Sequence, residues 1–311
     1  MDALSEVLRL SRFTAGVTLD AATRAPWCVS VPASGAVARA HLVVEGQCVV
    51  RAGLGDVVAL RAGELALVPR GDAHVIGSAI GDETVPLTSL LKTPVAGEMM
   101  PIRLGGSGAG ARWIALTVSC ERHLAEPLLS ALPSVMRADL SSASAFHWLV
   151  DALGLTLSAS AAPPVGATAE RARLAELVVI EAISRYVYER PPGGKGWLAG
   201  LNDRFVGRAL ALVHGRPSEA WTVEKLGRNV GLSRSALAER FSDVMGEPIF
   251  AFLTRWRLNL AAEYLLTTQR PIEAIAHEAG YESASAFSVA FKRAFGKPPS
   301  IWRKSRRRTT R

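Results

Sequence analysis

Val223–Pro248, VEKLGRNVGLSRSALAERFSDVMGEP, and Ile272–Pro298, IEAIAHEAGYESASAFSVAFKRAFGKP, are two copies of one pattern. Leu226 matches Ile275, Gly227 matches Ala276 and Gly231 matches Gly280. After a one-residue insertion, Leu237 matches Phe287, Phe241 matches Phe291, and Gly246-Glu247-Pro248 matches Gly296-Lys297-Pro298. A repeat of about fifty residues falls within the range of helical arrays, but two copies are too few for a solenoid, so paired motifs fit better.

Each copy reads as a short helix, a tight turn and a second helix. A small residue, Gly227 or Ala276, stands four before the turn glycine and lets the helices approach closely. The turn glycine accepts the positive φ that a sharp turn demands. Ser233 and Ser283 are placed to cap the second helices, expected over about 233–244 and 283–295. Leu237, Phe241 and Val244 form an expected inward stripe in the first copy, and Phe287, Phe291 and Ala294 in the second. Outward lie Ser235, Ala238, Glu239 and Ser242, then Ser285, Ser288, Val289 and Lys292. A helix in the major groove of double-stranded DNA reads bases with such a face. Val289 suits a thymine methyl. Glu239 suits a cytosine amino group or, failing that, an internal ion pair. A helix from about Thr254 to Leu266 would space the two motifs, and Arg234, Arg255, Arg257, Arg293 and Arg303 are the candidate phosphate contacts.

Charge supports this reading. The 311 residues carry 36 Lys/Arg and 28 Asp/Glu, a formal +8. From Gly200 to Arg311 there are 19 Lys/Arg against 10 Asp/Glu, and before it 17 against 18. A basic region beside a near-neutral one suggests a division of labour, because neutralising phosphates releases counterions. The terminal run RKSRRRTTR reads equally as a solvated end. With no apolar run of membrane-span length and no signal-like segment in Met1–Arg12, a cytoplasmic protein with no membrane partner is expected.

Upstream the rhythm changes. HLVVEGQCVVRAG, VVALRAG, ELALVPRGDAH and ARWIALTVSC read as closely spaced strands of a small barrel or sandwich. From about Ala125 the text turns helical, with EPLLSALPSVM, SASAFHWLVDALGLTL, a loop SASAAPPVGAT, and the long helix ERARLAELVVIEAISRYVYER. PPGGKG then breaks the chain, and a short helical segment from Leu201 to His214 leads into the basic region.

Residues 221–266 and 272–303 resemble the AraC/XylS family of bacterial regulators, most closely in GY-x-S-x-S-x-F-S from Gly280 to Ser288, followed by AFKRAFG-x-P-P and WR. The resemblance implies recognition helices in successive major grooves, and transcription activation through contact with RNA polymerase. The chain departs from the pattern at Val289, where Arg or another polar residue is usual, and at Glu239, where Arg is common. The upstream region is similar to the cupin sensor domains of one branch of this family. Gly63, Pro69, Gly71 and His74 fit G-x5-P-x-G-x2-H, the second cupin motif, and AHLVVEG is an incomplete first motif. The expected fold is therefore α+β and multidomain. It has a cupin-like β-barrel (1–120), a helical linker and dimerisation segment (121–199), and an all-α domain with two helix-turn-helix motifs (200–311).

The sensor reading stays open at this point. His41, Val43 and Glu45 alternate on one strand face, so His41, Glu45 and His74 are candidate ligands for a divalent metal, with Cys48 reachable only through a bulge. A dry barrel holding a small organic effector is the alternative. So is a redox sensor using Cys28, Cys48 or Cys120. A metal-dependent cupin enzyme fused to a DNA-binding domain is the competing reading of function. The incomplete first motif argues against it, and no nucleophile elbow, Walker loop or HExxH is present. The long helix around Leu174–Ile183 is a candidate homodimer contact, or packs on the barrel.

Overall fold

The structure, a computed structural model, describes residues 2–35, 37–81, 83–90, 102–141, 144–158, 166–189 and 194–305. Most of the SASAAPPVGAT loop, the first half of PPGGKG and the last six residues of the basic tail lie outside the described residues. The first element is α1 (Ala3–Leu10). Strands β1 (Thr14–Arg24), β2 (Cys28–Val31), β3 (Ala38–Glu45), β4 (Gln47–Ala52), β5 (Val58–Arg61), β6 (Glu64–Val68), β7 (His74–Gly77) and β8 (Val85–Pro86) follow. Next come α2 (Leu87–Leu90), β9 (Ile102–Gly105), β10 (Gly110–Ser119), α3 (Arg122–Ala131), β11 (Met136–Asp139), α4 (Ser144–Ser158) and α5 (Ala167–Tyr188). The remainder is helical: α6 (Trp197–Asn202), α7 (Arg204–Gly215), α8 (Val223–Val230), α9 (Arg234–Met245), α10 (Ile249–Thr267), α11 (Ile272–Glu278), α12 (Ala284–Phe295) and α13 (Pro299–Ser305).

The chain divides into two compact units. One unites Phe13–Cys120 with Leu132–Glu189. The other unites Met1–Arg12, Glu121–Ala131 and Arg190–Arg311. This differs from a partition at residues 120 and 199. Helices α1 and α3 carry apolar faces, with Val7, Leu8, Leu124 and Leu128 buried. They pack on α7 and α10 of the helical unit, while α5 packs on β1 and β11. The expected linker is thus split between two cores.

In the barrel unit, one sheet runs β11-β6-β3-β10-β1-β9 and the other β5-β4-β7-β2-β8. HLVVEGQCVVRAG is two strands rather than one. Gly46 turns the chain with φ +74°, and a Cβ there would lie against Gly110 O. Only glycine fits this corner, where the chain leaves one sheet for the other. The interior is filled by side chains. Trp27 and Trp113 stack at 5.8 Å between centroids, among Leu19, Val43, Cys48, Val50, Leu60 and Ile76. A further difference is β11, in a stretch expected to be helical. Met136 and Ala138 alternate inward and extend the sheet along β6, an instance of packing overriding local pattern. No helix among the described residues is long and apolar enough to cross a membrane.

Candidate nucleic-acid interface

The first helix-turn-helix is built from α8 and α9. Thr222 caps α8 by accepting from Lys225 N–H at 3.1 Å. Gly231, at φ +87°, ends it, and Leu232 N–H returns to Gly227 O at 2.9 Å. A Cβ on Gly227 would sit 2.7 Å from Leu232 O, so the turn folds directly over this residue. Ser233 Oγ accepts from Ala236 N–H at 3.2 Å and starts α9. Leu237, Phe241 and Met245 bury the inner face. Met245 takes the place expected for Val244, which is half-buried, because the stripe runs in steps of four. Ser235 and Glu239 are exposed, and Ala238 and Ser242 half-buried. Glu239 has no ion pair among the described residues.

The second unit repeats this geometry with α11 and α12. Gly280 has φ +84°, and Tyr281 N–H returns to Ala276 O at 3.0 Å. Ser283 Oγ accepts from Ala286 N–H at 3.2 Å. Phe287 and Phe291 are buried, with Phe295 and Trp302 packed against them. Ala294, expected inward, is exposed, and Phe295 fills the stripe instead. Ser285 and Lys292 are exposed, and Val289 is 72% exposed. Ser288 is half-buried and donates to Ala284 O at 2.7 Å.

The candidate phosphate contacts separate by partner. Arg257 is not available to a phosphate. Its guanidinium donates to Pro217 O and Glu219 O, both at 2.7 Å, and lies under Gly280. It fastens the 217–219 segment to α10. Arg303 donates to Arg270 O at 2.6 Å. Arg234 pairs with Glu224 at 2.9 Å, and Arg255 grips Glu247 with both ends of its fork. Arg293 is exposed and has no ion pair among the described residues. The sequence reading missed Asp203, which caps α7 through Phe205 and Val206 N–H and binds Arg240 of α9 at 2.8–3.1 Å. Burial acts to raise its pKa, but Arg240 and the two amides outweigh it and hold the carboxyl below its ordinary range. The signal was an Asp just before a helical run.

The barrel histidines do meet. His41 Nε2 and His74 Nε2 are 2.7 Å apart, both rings buried. His74 Nδ1–H donates to Asp72 O at 2.8 Å, so its Nε2 accepts and His41 Nε2–H donates. His41 Nδ1 is then a buried acceptor without a partner among the described residues. Burial, then His74, then Arg39 push the His41 pKa well below the imidazole range, and burial lowers that of His74. Both rings are neutral at pH 7. They do not make the expected metal site. Glu45 ends β3 at the exposed corner, and no third ligand joins the pair among the described residues. Cys48 is buried and its thiol pushed up to about 12, so it stays protonated and unreactive. Cys28 is buried and Cys120 half-buried.

Two capped helix-turn-helix units in one basic unit define a DNA-binding protein. Residues 226–305 match the family described as a helix-turn-helix domain, and residues 2–188 the family described as cupin. The chain is 31% identical over 98% of its length to a putative AraC-like transcription regulator of Streptomyces lividans, covering 98% of that protein. It is 32% identical over 98% of its length to one of Streptomyces antibioticus, covering 99% of it. It is 28% identical over 97% of its length to the HTH-type transcriptional regulator AlkR of Acinetobacter baylyi, covering 99% of it. The chain belongs to the AraC-like family of DNA-binding transcription regulators.

Proposed function

We propose that the protein is an effector-responsive, sequence-specific activator whose helices α9 and α12 enter successive major grooves of promoter DNA. The observation that carries this is the pair of Ser-capped second helices, each with a buried apolar stripe and an opposite face of exposed and half-buried residues. Ser235, Ala238, Glu239 and Ser242, and Ser285, Ser288, Val289 and Lys292, would face bases. Arg293 would contact phosphate directly, and Arg234 and Arg255 would do so by exchanging a surface carboxylate for phosphate, a small cost for exposed pairs. Activation through contact with RNA polymerase is proposed from the likeness to the AraC-like regulators.

Because the barrel centre is filled, the effector would bind at the rim. A cleft of about 770 Å³ is lined by Trp27, Cys28, Ser78, Glu83 and Leu104, a size that suits a small organic molecule. Its ligand would act by binding one of two states more tightly. Trp148 and Leu155, about two turns apart on α4, are 58% and 69% exposed, and Leu177 on α5 is 49% exposed. They form the surface proposed for a homodimer. The protein would act in the cytoplasm, where the promoter is.

Footprinting on the DNA flanking the protein's own gene, at two salt concentrations, tests the reading. The expected result is a protected stretch of roughly two helical turns per chain with a steep salt dependence. Equal affinity for random DNA would overturn it.

A further inference from the structure

Away from the recognition helices and the barrel histidines, Glu121, His123 and Glu263 each bring a ligand atom within 4.8 Å of the others. All three belong to the helical unit. Glu121 precedes α3. Its N–H donates to Ser11 O at 2.7 Å, and its carbonyl accepts from Leu124 and Ala125 N–H, both at 3.0 Å. These bonds fix the first turn of α3 and with it His123. Glu263 comes from the last part of α10 and is 5% exposed.

Neither carboxylate oxygen of Glu263, nor Nε2 of His123, has a hydrogen-bond partner among the described residues. A buried carboxylate without hydrogen bonds is costly, and native structures answer such groups with a partner, a water or an ion. The nearest cation, Arg12, keeps its Nη2 3.8 Å from Oε1, too far for a hydrogen bond. His123 Nε2 lies 3.3 Å from Glu263 Oε2. That is close to the separation of two ligands on one tetrahedral ion with bonds of about 2.0–2.2 Å.

We propose that Glu121, His123 and Glu263 bind a divalent first-row transition cation. One imidazole and two carboxylates suit zinc or manganese better than magnesium or calcium, which favour all-oxygen sites. The ion would compensate the buried Glu263 and tie the start of α3 to α10, the helix between the two helix-turn-helix units.

The test uses the full-length chain stripped with chelator and titrated with Zn²⁺ alone, followed by calorimetry and by thermal denaturation. One ion per chain and a higher Tm are expected. His123→Asn and Glu263→Gln should each weaken binding by at least about tenfold, and His41→Asn should leave it unchanged. Should Glu263→Gln fail to fold, Glu121→Gln with His123→Asn carries the test. Absence of stoichiometric binding, unchanged affinity in these variants, or loss of binding in His41→Asn would each overturn the proposal.

Discussion

In the first helix-turn-helix unit, Arg234, Arg240 and Arg255 each face a carboxylate of the same compact unit: Glu224, Asp203 and Glu247. In the second, Lys292, Arg293 and Lys297 are exposed and have no ion pair among the described residues. The two share a turn, a cap and a buried stripe, yet the cations of α9, Arg234 and Arg240, are held by carboxylates, whereas those of α12, Lys292 and Arg293, face solvent without an ion pair among the described residues. A repeat therefore conserves shape while leaving electrostatics free to diverge. The exchange of Glu247 for Lys297 at matched positions shows how: the acid that holds Arg255 in one copy is a free cation in the other. The second unit should accordingly dominate phosphate attraction.

Breaking the two groove faces separately gives the largest effect. Ser285→Glu with Val289→Glu should lower affinity for the protected DNA by more than about 100-fold, from repulsion against phosphate and lost base contact. Ser235→Glu, beside the existing Glu239, should cost nearer tenfold. Fluorescence anisotropy, with circular dichroism to check folding, separates the two.

Acid should distinguish the cores. His214 is buried against Trp197, Phe252 and Trp256, with neither ring nitrogen hydrogen-bonded among the described residues, and burial lowers its pKa to about 3. The second unit packs Phe291, Phe295 and Trp302 instead. The unfolded chain binds the His214 proton near pH 6.5 and the folded one does not. Its contribution to stability is therefore complete above about pH 6.5 and falls by about 1.4 kcal/mol per pH unit down to about 3. His41 and His74 add slope of the same sign in the barrel unit. His214→Leu should flatten the pH dependence of urea unfolding of the helical unit.

Gly227→Ala should destabilise by about 1–3 kcal/mol, since the added carbon meets a backbone carbonyl. The converse change Ala276→Gly should cost about 1 kcal/mol, the helix propensity alone. The smallest effect is expected from Asp203→Asn. It keeps a good cap, changes stability by less than about 1 kcal/mol, and frees Arg240. Thermal unfolding measures all three.

Much of this was legible in the sequence. The turn glycines, the capping serines and the phenylalanine stripe are local signals, because each does its work within one or two helical turns. The strand pairs around Gly46 and Gly63 were similarly readable as runs, though not the change of sheet at Gly46. What sequence did not carry is long-range. Asp203 reaches Arg240 across two helices, Arg257 reaches the carbonyls of 217–219, and β11 forms because β6 offers an edge. The grouping of α1 and α3 with the C-terminal helices spans almost the whole chain, and no window along it contains that information. The expected metal ligands failed for the same reason. His41 and His74 meet as read, but Glu45 falls at a corner that only the fold defines.

The salt dependence of binding to the protected DNA tests the central claim most directly. Lys292→Gln with Arg293→Gln should lower the slope of log affinity against log salt by about 2, and Arg234→Gln with Arg240→Gln by less than about 1. Equal losses, or a larger loss from the first unit, would contradict the division of charge between the two helix-turn-helix units.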